Sequence, residues 1–162
     1  MVSPEGSPSS DISKEGKVEL IVEPTGNEKG PGHKGPVFFN PAMVQNRDLS
    51  VVLVQTLLDI NGFPGKGPID LLDGLTGSGV RAARFAKELK HNGRELNIQG
   101  VDLNDTSIEM ANELKMINRV DVDLFQGDLN LFYGNKRYHY IDIDPFGTPA
   151  PFVQNAVIST RR

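Results

Sequence analysis

The chain has 162 residues and a net charge of −4, and this length is enough for one domain with a sizeable core. It contains no cysteine, which excludes disulfides and thiolate metal sites, and we expect no bound metal. No apolar run approaches the roughly 18 residues of a membrane span, and no secretory signal pattern is present, so we expect a cytoplasmic protein. Nucleic-acid binding normally needs a basic surface, which this composition does not supply on its own.

The N-terminal part of the chain is rich in proline, glycine and serine. We predict a disordered tail over residues 1–15 and an extension over residues 16–47 that contains a loop and a short strand carrying Val18, Leu20 and Val22. Residues 48–162 are predicted to form a single α/β domain.

A helix is predicted to start at Asp48 and to stop at Asn61-Gly62. Its spacing predicts an inward face made of Leu49, Val52, Leu53, Leu57 and Ile60. Arg47 precedes this helix and has two interpretations. It is either an exposed charge, or a guanidinium that makes paired hydrogen bonds to the carboxylate of a bound cofactor.

A glycine-rich turn follows the next apolar run, which ends in Asp73. Gly74, Gly77 and Gly79 give the order G-x-x-G-x-G before a helix that starts at Val80, whereas a dinucleotide site would read G-x-G-x-x-G. Such a turn lets a ligand approach the backbone and the N–H groups of the new helix. The stretch resembles the first motif of class I S-adenosylmethionine methyltransferases, in which the acid and the glycines bracket the methionine part of the cofactor.

Two further acids follow predicted strands. Asp102 ends a strand over residues 96–103, at a spacing suited to binding ribose hydroxyls, although a surface acid fits equally well. Asp128 follows a short strand over residues 122–125, where in this fold class an acid meets the adenine amino group; it could equally be a loop residue in a glycine turn.

The segment YIDIDPFG places Tyr140, Asp142 and Asp144 on one face of a fourth strand, which Pro145 ends. An aspartate at the carboxyl end of such a strand can accept the hydrogens of an exocyclic amine, orient its lone pair and take up a proton. Phe146 offers a ring on which a base can stack. A proline–glycine turn with a core phenylalanine is the alternative, and the glycine-rich turn earlier in the chain makes us favour the catalytic interpretation.

Several segments together resemble the tRNA (guanine-26-N2)-dimethyltransferase family. They are EGKVELIVE, VFFNP, NRDLSVV, LLDGLTGSGVRAARFAKE, VDLND, GDLN and DIDPFGTPAPFV. The resemblance implies that Asp144, with Phe146 beside it, is catalytic and that Arg47 helps to hold S-adenosylmethionine. It also implies a cofactor pocket; the residues expected there besides Arg47 are Phe38, Asp73, Gly77, Gly79, Asp102, Leu103, Asp128 and Leu129.

The resemblance further implies a Rossmann-like class I methyltransferase sheet flanked by helices and a tRNA substrate. The chain supplies about four core strands and stops in the helix after the fourth, so we expect an incomplete sheet with an exposed edge and a tRNA-binding C-terminal domain outside these residues. Two alternatives stay open. One is a different exocyclic-amine methyltransferase acting on ribosomal RNA or on DNA adenine, and the other is a cofactor-binding module without turnover. The oligomeric state is not predicted.

Overall fold

The computed structural model describes residues 11–22, 39–91, 93–134 and 136–161. Its first element is an antiparallel hairpin of β1 (Asp11–Glu15) and β2 (Val18–Val22). The predicted strand at residues 18–22 is thus confirmed, whereas residues 11–15, which the sequence placed in a disordered tail, pair with it. The hairpin packs against the domain because its buried Val18 and Leu20 lie in one apolar cluster with Val80, Ala83 and Leu114.

Helix α1 spans Val44–Asp59, after a short 3₁₀ turn at Pro41–Met43. The predicted inward face is wrong for four of its five residues, since Leu49, Val52, Leu53 and Ile60 are at least half exposed. The buried residues are instead Arg47, Ser50, Val54 and Leu58. Polar partners on the facing elements draw Arg47 and Ser50 inward, and apolar periodicity alone could not reveal those partners.

The core of the domain is a parallel sheet of four strands: β3 (Ile69–Gly74), β4 (Leu96–Asp102), β5 (Asp123–Gln126) and β6 (Tyr140–Ile143). Their order is β5-β4-β3-β6, and the strands pair in parallel, as expected for the predicted α/β fold. Every residue of β3 is buried because helices and neighbouring strands cover it on all sides. The chain runs from β3 towards β4 on one side and places β6 on the other, so a topological switch point lies between β3 and β6. Ligands of open α/β sheets bind outside the carboxyl ends of the strands at such a point.

Four helices complete the described fold: α2 (Val80–Glu88), α3 (Asp105–Asn118), the single turn α4 (Leu129–Phe132) and α5 (Ala150–Ser159). Val80, Ala83 and Phe85 of α2 are buried, and so is Leu89 directly after it. In the described part of the chain β6 pairs only with β3, and α5 exposes Val157 and Ile158. None of the helices in these ranges is long and apolar enough to cross a bilayer.

Candidate active site

The turn between β3 and α2 has the predicted strand, turn and helix geometry. Gly77 and Gly79 have φ angles of +52° and +77°, in the left-handed region that glycine adopts without strain. A Cβ built on Gly79 would lie 2.6 Å from the Cβ of Ala111, so this position also lets α2 pack closely on α3. The two glycines therefore allow the left-handed turn and the close packing of α2 on α3, and they add no side chain at the start of α2.

Asp73 lies at the carboxyl end of β3 and is buried under the turn. Its Oδ2 accepts hydrogen bonds from Thr76 Oγ1 at 2.6 Å and from the Ala82 amide at 3.2 Å. Arg81 Nε lies 3.9 Å from its Oδ1. Burial raises the pKa of the Asp73 carboxyl to about 6, because the charge of Arg81 only partly offsets the loss of solvation and nearby Asp142 adds a repulsive charge.

Asp102 ties the glycine turn to the end of β4. Its Oδ2 accepts a hydrogen bond from the Gly77 amide at 2.8 Å, and its Oδ1 accepts one from the Asn104 amide at 2.9 Å. Each carboxylate oxygen keeps a lone pair for a further donor, so the group can still receive hydrogen bonds from a vicinal diol. Leu103 follows with most of its side chain exposed at the same edge.

Asp128 and Leu129 lie at the start of α4. The Asp128 carboxylate accepts a hydrogen bond from the Asn130 amide at 2.7 Å and so caps the helix. The Leu129 side chain is buried against Leu72 and Val101 and would collide with a Cβ at Gly74. Its side chain is therefore part of the core, and only its backbone could contact a cofactor.

Asp144 and Phe146 follow β6 directly. Asp144 Oδ2 accepts a hydrogen bond from Arg81 Nη2 at 2.5 Å, while about a third of its side chain stays exposed. The Phe146 side chain is three-quarters exposed at the surface beside it. Gly147 has a φ of +81°, so the chain turns sharply after the aromatic residue.

Arg81 joins the two halves of this site, and the sequence analysis missed it. The residue is only 6% exposed, and its guanidinium contacts Asp73, Asp142 and Asp144. One cation thus lies among three carboxylates from the ends of β3 and β6. Because a single side chain reaches both Asp73 and Asp144, the glycine turn and the end of β6 lie on the same side of the sheet, next to each other.

Helix α1 and β6 supply the remaining partners of this cluster. Arg81 also donates to Asn46 Oδ1 at 2.9 Å and to Ser50 Oγ at 3.0 Å. Asp142 accepts hydrogen bonds at Oδ2 from Ser50 Oγ and Tyr140 OH, each at 2.8 Å. Burial raises the pKa of the Tyr140 phenol well above its usual range, and the charge of Asp142 adds to this effect, so the hydroxyl remains a donor.

Residues 16–162 match the family model for N2,N2-dimethylguanosine tRNA methyltransferases. The chain belongs to this family. A relative named tRNA (guanine(26)-N(2))-dimethyltransferase from Methanocaldococcus jannaschii is 37% identical over 149 residues, and one of the same name from Methanococcus maripaludis is 36% identical over 149 residues. Each match covers 90% of this chain but only 38% of the relative, so the chain spans well under half the length of these family members.

Solved structures share the fold at lower sequence identity. A Pyrococcus abyssi tRNA (uracil-54, C5)-methyltransferase in complex with S-adenosyl-L-homocysteine superposes with a TM-score of 0.57 at 21% identity, covering 92% of this chain and 31% of that one. The plantazolicin methyltransferase BpumL gives a TM-score of 0.55 at 21% identity, covering 72% and 43%. The predicted Rossmann-like methyltransferase sheet is therefore confirmed.

Arg47, which lies in the N-terminal part of the family match, is held by the hairpin. Its Nε and Nη2 donate to the two oxygens of buried Glu15 at 2.7 and 2.6 Å, and Nη2 also donates to the Asn40 carbonyl. The paired hydrogen bonds expected for a cofactor carboxylate are thus made with Glu15. Phe38 lies outside the described residues, whereas the Phe39 ring lies under the Arg47 guanidinium.

Arg84 completes the contact between the hairpin and α2. It bridges Glu15, Asp48 and Glu88, and a Cβ at Gly16 would collide with the Glu88 carboxylate. The sequence did carry a signal for one of the two arginines of α2. Arg81 lies in the first turn of α2, where a cation opposes the helix dipole, so its position indicates that it has an acidic partner. Arg84 lies beyond the first turn and carries no such signal.

Proposed function

We propose that the protein transfers methyl groups from S-adenosylmethionine to the exocyclic N2 amine of guanine 26 in tRNA. One observation carries the proposal: Arg81 bridges Asp73, at the glycine-rich turn, and Asp144, at the end of β6. A cofactor position and an acceptor position next to each other are what methyl transfer requires, because the donor and the nucleophile must meet in line. Membership of the dimethylguanosine methyltransferase family supports the choice of substrate.

The described residues fit S-adenosylmethionine in shape and in charge. Gly77 and Gly79 add no side chains to the turn, and the Asp102 carboxylate is already oriented by the amides of Gly77 and Asn104 to receive the ribose hydroxyls. Three carboxylates with one arginine give this edge an excess of negative charge, which suits a ligand with a sulfonium and an ammonium group.

The remaining predicted cofactor ligands have narrower roles in the proposal. Asp128 and the Leu129 backbone would face the adenine, with Leu103 covering its ring. Arg47 would bind the cofactor carboxylate with the part of its guanidinium that Glu15 does not occupy, and Phe38 would lie beside it. Bound S-adenosylmethionine supplies an electrophilic methyl group.

Asp144 is the group that acts on the amine. Its Oδ2 is fixed by Arg81, so Oδ1 is the acceptor for a hydrogen of the planar amino group. Accepting that hydrogen aligns the nitrogen lone pair, and the carboxylate then carries the proton that the methylated nitrogen loses towards solvent. Phe146 provides a ring at the surface on which the guanine stacks once it leaves its helical stack.

The tRNA partner needs more than this acidic segment. With a net charge of −4, the 162 residues offer little attraction to a phosphate backbone. We therefore assign most phosphate contacts to a basic domain outside them, and we place the reaction in the cytoplasm with its tRNA substrate.

The test is methyl transfer by the full-length protein to transcripts of one tRNA with guanine or adenine at position 26. We expect N2-methylguanosine and N2,N2-dimethylguanosine in digests of the guanine transcript and neither product from the adenine transcript. Asp144→Ala should abolish transfer while S-adenosylhomocysteine still binds in calorimetry. Asp121→Asn, at an exposed acid away from the site, is the matched control. Cofactor binding without transfer to either transcript would contradict the proposal and indicate a binding module.

A further inference from the structure

The two terminal nitrogens of the Arg81 guanidinium, Nη1 and Nη2, make hydrogen bonds in different surroundings. Nη1 donates to Asp142 and to Ser50, which lie in the buried interior. Nη2 donates to Asp144 and to Asn46, which lie where the site opens to the surface. Because the guanidinium is planar, fixing the position of Nη1 also fixes the direction in which Nη2 donates.

The main partner of Arg81 Nη1, the Asp142 carboxylate, is held in place by the sheet and by further hydrogen bonds. Asp142 belongs to β6 and pairs in register with Asp73 of the central strand. Its second oxygen is held by Tyr140 and Ser50. Asp144 lies beyond the end of β6, and its side chain is a third exposed. The chain of contacts therefore runs from the rigid sheet through Asp142 and Arg81 to a carboxylate on a loop.

We propose that Arg81 is a positioning residue for methyl transfer: its guanidinium orients the Asp144 carboxylate so that Oδ1 faces the substrate amine. This inference rests on the proposed function. It assigns Arg81 a directional role beyond charge balance, because a cation that only neutralised Asp142 would not need to hold Asp144 as well. A lysine in its place would keep the charge but could not make both sets of hydrogen bonds from a fixed plane.

The experiment compares Arg81→Lys with the double variant Arg81→Gln/Asp142→Asn in the full-length protein. The lysine variant keeps a cation next to Asp142 and Asp73. The double variant removes both members of the Arg81–Asp142 pair, while Asp73 keeps its hydrogen bonds from Thr76 and the Ala82 amide. Thermal unfolding confirms that each is folded. Arg94→Lys is the matched control, since Arg94 binds the carbonyls of Phe63, Pro64 and Gly67 at the other end of the sheet.

We expect kcat to fall about 10²-fold in the double variant and about 10-fold in Arg81→Lys, since a small misplacement of a catalytic group has effects of this size. KM for tRNA and for S-adenosylmethionine should change less than about threefold in both, and the control should match the unmodified protein. A folded double or lysine variant with unchanged kcat would overturn the inference and leave the proposed function standing. An unmodified protein that transfers no methyl group would overturn both.

Discussion

The central strand β3 carries two buried acids in opposite surroundings, Asp70 near its start and Asp73 near its end. Asp70 accepts hydrogen bonds from Asn97 and Arg161, lies 3.3 Å from Lys136 Nζ, and lies beside His139. Around Asp73 the acids outnumber the cations instead, since three carboxylates share Arg81. One strand therefore carries an acid with excess positive charge around it at one end and an acid with excess negative charge around it at the other.

The pKa values of these two carboxyls move in opposite directions. Burial would raise the pKa of Asp70, but the hydrogen bond from Asn97 and the charges of Lys136 and Arg161 hold it below its usual value. At Asp73 burial prevails and the pKa rises to about 6. The Asp70 cluster thus resembles a satisfied structural contact, which links β3 to the segment after α5. The Asp73 cluster is under-compensated, as expected where a cationic ligand completes the charge balance.

The largest effect that separates the two ends concerns the pH dependence of stability. A carboxyl whose pKa is raised to about 6 stabilises the fold fully below its unfolded pKa of 3.8, and this contribution is lost as the pH rises through 6. Urea unfolding should show that the unmodified protein loses about 3 kcal/mol relative to Asp73→Asn between pH 4 and pH 7.

Asp70→Asn is the control for that titration. The lowered pKa of Asp70 means that its contribution is present above pH 3.8 and is lost only as the pH falls further. The difference between the unmodified protein and Asp70→Asn should therefore stay constant from pH 5 to pH 7. A pH-independent difference for Asp73→Asn as well would show that the two acids have equivalent surroundings.

The second prediction is that ligand binding depends on the carboxyl end of β3 and β4 and not on the amino end of β3. We expect Asp102→Asn to weaken S-adenosylhomocysteine binding by about 10-fold to 100-fold in calorimetry, because hydrogen bonds from a diol to a charged acceptor contribute about 1.5–3 kcal/mol. The asparagine can still accept the Gly77 amide, so the turn itself should survive. Asp70→Asn should bind as tightly as the unmodified protein, and equal weakening in both variants would contradict the assignment of the ligand to one end.

The smallest effect is the stability lost at Asp70 itself. Removing its charge leaves buried His139 and the two cations without a carboxylate, but Lys136 and Arg161 have side chains 38% and 44% exposed and recover solvation. We expect Asp70→Asn to lower the free energy of unfolding at pH 7 by about 1–2 kcal/mol, measured by urea titration beside Asp121→Asn. A decrease in the free energy of unfolding as large as that for breaking a fully buried ion pair would show that water does not reach this cluster.

Sequence patterns predicted the sheet, the order of its elements and the acids at the strand ends, because alternation, glycine turns and strand length are local properties. The strand at residues 11–15 was not predicted because its buried side chain is a glutamate, Glu15. The partners of Glu15, Arg47 and Arg84, are far away in the sequence. The inward face of α1 failed for the same reason. Arg81 was overlooked because its role depends on three acids that only the fold brings together.

The most direct measurement is a crystal structure of the full-length protein with S-adenosylhomocysteine. The proposal predicts the ribose on Asp102, the sulfur over the Gly77–Gly79 turn and Asp144 facing the space beyond it, still paired with Arg81. Ligand density elsewhere would contradict it, for instance in the groove between Pro64, Arg137, Ile158 and Arg161 at the amino end of the sheet.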